Sequence, residues 1–431
     1  MRGKRCLFFA RALGVLCAVS TPLFYAGCDS SGKKIVTIWT DQSVVALYAG
    51  YFNAAQDTYK AEVFYFDNVS ERLAEMKPEE KDGPDIVIGN WLNSSGTIAL
   101  FRPVMSFYQG STPLETVFYP GLLEDGRVKD NQVLLPVSFD VQVLVFDRNN
   151  AALLPDPFSL SLTGLQEAGT AYNLMQNDVW TRVGFSPLWN EEFLFLSTVL
   201  LGADWREANP AAANPVAWDD AKLKAALAML REWVIIANGS VQADDDFSFK
   251  YSYESPDKLA AGGRILFSVM QVSDFFKLAE ERRAALDFRW LEHEDRIVPT
   301  ANVVYYGVCR NMGSRGAAAA FTNWFFSEEA QNEILAKGRA AQNAETFFGI
   351  TDGFSAMRGV TETIFTRYYT GMLGHAPPGE KIVSPGVFPP FFPELKERVI
   401  IPAIREYIRS NNNGTNTGTL ESRLSDWTRI E

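Results

Sequence analysis

Aromatic rings and polar side chains occur together at the predicted ends of two buried strands in the first quarter of the chain. The residues are Trp39, Asp41 and Gln42 after one strand and Asn90, Trp91 and Asn93 after the other. An indole offers an apolar face on which a pyranose ring can stack, while carboxylate and amide groups hydrogen-bond the sugar hydroxyls. These residue types therefore suit the binding of a sugar. For each tryptophan, the alternative is a place in the hydrophobic core.

Asp140 lies between two apolar stretches, Val133–Val137 and Val141–Phe146, whose β-branched composition predicts strands. A carboxylate buried between strands costs free energy unless it has a partner. We therefore expect a ligand hydroxyl or a cation close to Asp140. An ion pair within the protein is the alternative.

The elements around these residues predict an α/β protein. The strands Ile35–Trp39, Glu62–Phe66 and Pro84–Gly89 are separated by an apolar helical stripe and a short helix, Ser70–Met76. This order is typical of a doubly wound sheet flanked by helices, in which ligands bind at the carboxyl ends of the strands. A second set of predicted strands and helices follows it.

The composition excludes several kinds of partner and cofactor. The chain has 40 basic and 52 acidic side chains, which give a net charge of −12. Nucleic acid binding needs a basic surface, so we expect no nucleic acid partner. The chain contains 2 histidines, which argues against a histidine-rich metal site and against a Ser-His-Asp triad. We expect no metal and no cofactor.

The N-terminus is predicted to be an export signal. A basic start precedes an apolar stretch whose uncharged part, 12–26, is shorter than the about 20 residues of a membrane span. Two small residues precede Cys28, which resembles a bacterial lipobox of the variable spirochaetal kind. We predict a signal peptide at 1–27, a lipidated tether at 28–34 and a protein anchored to the membrane at its periplasmic face. Ordinary signal cleavage or an uncleaved anchor is the alternative.

Cysteine usage agrees with export. Beyond the predicted signal peptide and the lipidated Cys28, Cys309 is the only thiol, which excludes an intrachain disulfide. Cys309 ends the apolar run Val303–Cys309, so we expect an inert thiol in a buried strand.

Five short motifs follow one another in an order that one protein family shares. They are Val36-Thr-Ile-Trp-Thr-Asp41, Pro84-Asp-Ile-Val-Ile88, Leu135-Pro-Val-Ser-Phe-Asp140, Ala260-Ala-Gly-Gly-Arg-Ile-Leu-Phe267 and Tyr306-Gly-Val-Cys309. In this order and spacing the chain resembles the family 1 extracellular solute-binding proteins of ABC importers, the maltodextrin and multiple-sugar type. Each motif alone is weakly specific. Together they extend over nearly the whole mature chain.

The resemblance implies a type II periplasmic-binding-protein fold, in which two α/β lobes are joined by a hinge. Lobe 1 would comprise 35–138 and 300–345, and lobe 2 would comprise 139–299 and 346–431. A sugar would bind between the lobes by hinge closure and be delivered to an ABC permease. The resemblance implies no enzymatic activity, and we expect a monomer.

The resemblance also implies particular ligand contacts. Asp140 falls where the family has an acidic sugar contact. Two further regions match segments that supply second-lobe contacts in relatives, and they contain Trp189 and Asn190, then Gln271, Ser273 and Asp274. For each of these residues, a purely structural role is the alternative.

Other functions stay open from the residues alone. They are a receptor for another small polar solute (a polyol, a glycerophosphodiester, a polyamine or thiamine), a surface glycoside hydrolase with paired carboxylates, and an adhesin on this fold. The acidic stretch 244–250 resembles a calcium loop, but Phe249 stands where that loop needs glycine. Tyr305 and Tyr306 resemble the paired tyrosines of ferric-binding relatives, yet their surroundings predict a strand.

Overall fold

The computed structural model describes residues 33–76, 83–110, 112–300, 303–340, 347–410 and 418–427. The chain from Lys34 onwards forms one compact unit. The predicted signal peptide 1–27, Cys28 and most of the tether lie outside the described residues. Within the described ranges, no helix has the length and apolar character needed to cross a membrane.

Ten strands build the two main sheets. They are β1 (Lys34–Thr40), β2 (Tyr59–Tyr65), β3 (Ile86–Asn90), β4 (Leu134–Phe139), β5 (Gln142–Asp147), β6 (Ser159–Ser161), β7 (Ser268–Gln271), β8 (Leu286–Glu292), β9 (Val304–Val308) and β10 (Phe354–Ser355). Short hairpins lie outside these sheets at Arg127–Gln132, Leu174–Arg182 and Arg206–Ala217.

The first sheet has the strand order β10-β4-β9-β3-β1-β2. β1 runs parallel to both β2 and β3, whereas β9 runs antiparallel to β3 and β4. The central strands β4, β9 and β3 are mostly apolar and are buried along nearly their whole length, as is typical of a sheet covered on both faces, and Val87 is fully buried. The carboxyl ends of β1, β2 and β3 therefore meet at one edge of the sheet.

The second sheet has the order β7-β5-β8-β6 and is mainly antiparallel. β5 pairs antiparallel with β7 and β8, and β6 pairs parallel with β8. Only Asp140 and Val141 separate β4 from β5, so the chain crosses from the first sheet to the second at Asp140. This is the crossing at which the sequence predicts a hinge.

Twelve α-helices of six residues or more occur in the part of the chain that the structure describes. They are α1 (Val45–Ala55), α2 (Val69–Ala74), α3 (Leu162–Tyr172), α4 (Glu191–Leu200), α5 (Asp220–Glu232), α6 (Val241–Lys250), α7 (Pro256–Ala261), α8 (Val272–Lys277), α9 (Arg315–Phe325), α10 (Glu328–Ala340), α11 (Ile401–Arg409) and α12 (Gly418–Trp427). Several begin at a polar cap, as the sequence predicts for α5. There the Asp219 carboxylate accepts a hydrogen bond from the Lys222 amide at 3.0 Å.

The predicted second-lobe segment 346–431 divides between the two sheets. β10 pairs with β4 of the first sheet, and the helical segment that follows packs on the same core through Phe365. By contrast, Phe388, Phe392 and Ile404 pack in the core of the second lobe. The chain therefore crosses between the lobes a third time, before Phe388.

Cys309 follows β9 directly, and the side chain is 5% exposed. Burial raises the pKa of its thiol, and the nearby charge of Asp85 raises it further. Such a thiol stays protonated at neutral pH, which agrees with the predicted inert role.

Candidate functional site

The ends of β1 and β3 bring three of the predicted residues together. The Asp41 carboxylate accepts hydrogen bonds from Gln42 Nε2 at 2.7 Å and from the Asn90 amide at 3.1 Å. Burial raises the pKa of Asp41 to about 6, against the lowering effect of these hydrogen bonds. The carboxylate thus joins the two strand ends. Asn90 Oδ1 is buried and has no partner among the described residues.

Trp39 lies in the core of the first lobe. Its indole packs against the ring of Phe66, with 4.7 Å between the ring centroids. The guanidinium carbon of Arg72 lies 5.2 Å from the centroid of the Trp39 indole. The side chain is 5% exposed. This placement matches the core alternative, because neighbouring side chains cover the ring that a sugar would need.

Trp91 joins the first lobe to the second. It follows β3 with φ at 60°, a left-handed conformation that is strained for a bulky residue. Its ring centroid lies 6.1 Å from that of Phe388 and 5.8 Å from that of Phe392, and it belongs to the second-lobe core. Asn93 is buried close by and lines a small void with Trp91 and Gly386.

Asp140 is buried at the crossing from β4 to β5. Its Oδ1 accepts a hydrogen bond from the Val141 amide at 2.8 Å, and the Ser273 hydroxyl and amide lie close enough to act on the carboxylate as hydrogen-bond donors. Burial raises the pKa of Asp140 to about 7, the Ser273 hydroxyl lowers it, and the charge of Asp352 raises it. The structure therefore places Asp140 and Ser273 side by side.

Gln271 and Asp274 lie near this crossing but face different surroundings. Gln271 ends β7 opposite Gln142 of β5. The Asp274 carboxylate lies 3.9 Å from Lys277 Nζ, which also pairs with Asp352. Neither Gln271 nor Asp274 lines the cavity of about 340 Å³ within the second lobe or the cavity of about 490 Å³ between the lobes.

A cavity of about 340 Å³ lies within the second lobe and contains the other two predicted residues. We call it the second-lobe cavity. Trp189 stacks on Phe247 at 5.6 Å and 16°, and Tyr251 packs against Phe247 in turn. Asn190 caps α4 by accepting from the Phe193 amide at 2.8 Å. The cavity is therefore walled on one side by aromatic rings.

Three polar atoms of the second-lobe cavity are buried and have no partner among the described residues. They belong to Trp189 (Nε1), Ser268 (Oγ) and Asp244 (Oδ1). Burial raises the pKa of Asp244 to about 6, while the Ser186 hydroxyl lowers it. Two potential donors and one acceptor thus lie unsatisfied in the cavity wall, beside the aromatic rings.

Sequence reasoning missed Asp244, Phe247 and Tyr251. It compared 244–250 with a calcium loop, but this stretch belongs to helix α6. The three residues are spaced by three and four, which is the spacing of one helix face. That spacing is the signal that could have identified them, had the stretch been treated as a helix.

A second cavity, of about 490 Å³, lies between the lobes. The first lobe contributes Glu71, Glu75 and Ser95, and the second contributes Glu207 and Phe391. The Glu207 carboxylate accepts hydrogen bonds from the Ser95 amide at 2.7 Å and from the Ser95 hydroxyl at 2.9 Å. We call this space the interlobe cavity. None of the twelve predicted ligand contacts lines it.

Further contacts hold the lobes together around the interlobe cavity. The Asn68 side-chain amide donates to the Pro390 carbonyl at 3.2 Å, and Ser384 hydrogen-bonds to Asp125. With the packing of Trp91 against the second lobe, they describe two lobes in direct contact at the ends of the first-sheet strands.

Solved structures with the same architecture are sugar-binding proteins. A cyclic α-maltosyl-1,6-maltose binding protein from Arthrobacter globiformis has a TM-score of 0.60 at 14% identity and covers 93% of this chain and 100% of its own. A sugar-binding protein from Xanthomonas citri has a TM-score of 0.62 at 12% identity, with 92% and 98% covered. An ABC substrate-binding protein from Listeria monocytogenes, solved with cycloalternan, has a TM-score of 0.56 at 13% identity, with 92% and 99% covered.

No protein family profile and no curated protein sequence matches the chain. At these identities the solved structures establish the fold alone. The chain therefore has the two-lobed, type II periplasmic-binding-protein fold, the architecture of maltodextrin-type sugar-binding proteins.

Proposed function

We propose that the protein is the substrate-binding lipoprotein of an ABC importer and that it captures a carbohydrate between its lobes. Cys28 would carry the lipid and hold the protein at the periplasmic face of the membrane. The proposal is supported by the two-lobed fold and by neighbours whose names describe sugar binding. The protein performs no chemistry on the sugar and hands it to the permease.

The second-lobe cavity is the observation that carries this proposal. Stacked rings of Trp189 and Phe247 provide the apolar surface that the face of a sugar requires. Ser268 and Asp244 present polar atoms that no described residue satisfies. Buried polar atoms of this kind cost free energy until a ligand hydrogen-bonds to them.

The second-lobe cavity lies within one lobe, so capture between the lobes requires further ligand contacts outside it. The ligand stabilises the closed arrangement only if it contacts both lobes, because a ligand shifts an equilibrium by its differential affinity for the two states. Glu207 and Ser95 already join the lobes beside the interlobe cavity. Asp140 is buried at the crossing beside Ser273, and it could accept a sugar hydroxyl only if a movement of the lobes exposes it.

The test is a thermal-shift and calorimetric screen of residues 29–431, which contain the whole compact unit, against neutral, amino and acidic sugars and polyamines. A ligand that binds the folded state raises the melting temperature by mass action. We expect at least one carbohydrate to bind with a 1:1 stoichiometry and to be recovered unhydrolysed. If no carbohydrate binds to saturation, the proposal is refuted. If the protein hydrolyses the bound carbohydrate, the alternative of a glycoside hydrolase is favoured.

Membrane attachment is tested separately, by the substitution Cys28→Ala. We expect the variant to lose fatty-acid labelling and to leave the membrane fraction. Retained labelling would place the lipid elsewhere.

A further inference from the structure

We propose that the carbohydrate is an amino sugar and that the Asp244 carboxylate binds its protonated amine in the second-lobe cavity. This inference rests on the proposed function and narrows it to a ligand class. It starts from the chemistry of the cavity wall, where a buried acidic group and aromatic rings occur together.

Asp244 is 2% exposed, and its Oδ1 atom has no hydrogen-bond partner among the described residues. The neighbouring Ser186 and Asn238 are neutral and act on this carboxylate only as hydrogen-bond donors. A buried carboxylate oxygen without a donor is costly. An ammonium group brings three donors and the opposite charge, so it compensates this cost better than a neutral hydroxyl does.

The charges that line the second-lobe cavity favour a cation. Its acidic members are Asp244, Asp245 and Glu254, and Arg409 is the single basic residue among the described residues that line it. Arg409 donates two hydrogen bonds to Asp245, at 2.9 and 2.7 Å. Although its charge also lowers the pKa of Asp244, its hydrogen bonds are made to the neighbouring carboxylate. The described residues that line the second-lobe cavity therefore have a formal net charge of −2.

Aromatic rings complete the recognition of an amine. Trp189 and Phe247 line the same cavity, and the negative face of an aromatic ring attracts a cation within about 6 Å. A uronic acid or a phosphorylated sugar would be repelled by the carboxylates. A neutral sugar would stack on the aromatic rings but would lack the electrostatic attraction to the carboxylates.

The interlobe cavity has the same character. Glu71, Glu75 and Glu207 line it, and no lysine, arginine or histidine occurs among its described lining residues. Both cavities are thus lined by carboxylates. A ligand with several amines, such as an oligomer of an amino sugar, would find carboxylates in each.

The experiment compares sugars that differ at one substituent, using the full mature chain and isothermal titration calorimetry. Glucosamine oligomers, glucose oligomers and N-acetylglucosamine oligomers with the same β-1,4 linkage form one series. Galactosamine, galactose and N-acetylgalactosamine form another, and putrescine is an amine without a sugar. We expect at least one amino sugar to bind about tenfold more tightly than its hydroxyl and acetylated counterparts.

A matched pair of substitutions assigns the preference to Asp244. Asp244→Asn keeps the shape of the side chain, and Asp246→Asn makes the same charge change on the exposed side of α6. We expect Asp244→Asn to abolish the tenfold preference and Asp246→Asn to keep it. The sugar series needs no substitution, so the inference stays testable even if Asp244→Asn does not fold.

The outcomes separate this inference from the proposed function. Equal or tighter binding of neutral or acetylated sugars overturns the inference and leaves the carbohydrate receptor standing. An unchanged amine preference in Asp244→Asn overturns the role of this residue. Binding of putrescine without binding of any sugar overturns the carbohydrate proposal itself, as does the absence of all binding.

Discussion

The two lobes use their aromatic and acidic residues in opposite ways. In the first lobe, the Asp41 carboxylate is occupied by hydrogen bonds from Gln42 and Asn90, and neighbours cover the ring of Trp39. In the second lobe, Trp189 and Asp244 each keep a polar atom that no described residue satisfies. The same residue types therefore hold strands together in one lobe and leave a cavity unsatisfied in the other.

This difference shows that residue type does not by itself identify a ligand contact. A carboxylate or an indole becomes available to a ligand only where the fold leaves hydrogen-bonding capacity unused beside open space. The second-lobe cavity meets both conditions, whereas in the first lobe Asn90 Oδ1 has unused capacity but lines neither the second-lobe cavity nor the interlobe cavity. We infer that most of the ligand affinity comes from the second lobe.

The largest expected effects come from replacing Trp39 or Trp189, because one substitution should reduce stability and the other should reduce sugar affinity. Trp39→Ala removes a buried ring from a core, so we expect the free energy of unfolding to fall by about 3–5 kcal/mol. The sugar affinity of the molecules that remain folded should not change. Trp189→Ala should weaken sugar affinity about tenfold or more, because it removes the stacking surface.

Urea denaturation and calorimetric titration of both variants measure these effects. Trp189→Ala should also lose the ligand-induced change in tryptophan fluorescence, and Trp39→Ala should retain it. A well-folded Trp39→Ala protein with lost affinity would reverse the comparison and return the stacking surface to the first lobe.

Much of the fold was predictable from local patterns. The apolar run that contains β3 indicates a central strand, and the Asp219 cap correctly placed the start of α5. The apolar run Arg264–Val269 predicts a strand, but the strand of the structure lies at Ser268–Gln271. The first residues of this run instead hydrogen-bond to the backbone at Val183 and Gly184, a contact between distant segments that a local pattern cannot reveal.

The candidate site was predictable only in part. Trp189 could be found because it precedes a helix in a region that the family resemblance identifies. The sequence favours core packing for Phe391 and Phe392, with a place at the cleft as the alternative; Phe391 lines the interlobe cavity, while Phe392 is fully buried. Two identical neighbours differ because successive side chains at a helix start point in different directions, and only the packed lobes determine which direction is open.

The second prediction, with a smaller expected effect, concerns how stability depends on pH through Asp140, at the crossing between the two lobes. Its pKa is about 7 in the folded protein against an ordinary value of 3.8. Between these values the folded state binds more protons than the unfolded state, so this group lowers stability as pH rises from about 4 to about 7. Asp140→Asn should therefore raise the melting temperature at pH 8, by about 2 °C or more, and should not raise it at pH 4.

The same substitution tests ligand binding. If the ionised carboxylate accepts a sugar hydroxyl, wild-type affinity should weaken as pH falls below about 7, and Asp140→Asn should be about tenfold weaker at pH 8. Melting curves and titrations from pH 4 to pH 8 measure both effects. A stabilised variant with unaltered affinity would leave Asp140 as a feature of the hinge and confine ligand contacts to the second-lobe cavity.

The smallest expected effect concerns the contact that joins the lobes. The Glu207 carboxylate accepts two hydrogen bonds from Ser95, and we infer that these form only when the lobes are this close. Glu207→Gln keeps the shape but leaves one acceptor oxygen in place of two, so one bond is lost and the other is weakened, by about 0.5–1 kcal/mol in total for an exposed contact. Because apparent affinity depends on the fraction of closed molecules, we expect a two- to fivefold loss of affinity, mainly through faster dissociation.

Glu167→Gln, on the exposed side of α3, is the control and should behave as wild type. Small-angle scattering of the unliganded Glu207→Gln protein should give a larger radius of gyration than the control. If both quantities stay at the wild-type values, the Glu207–Ser95 contact does not contribute to closure, and the difference between the lobes rests on the second-lobe cavity alone.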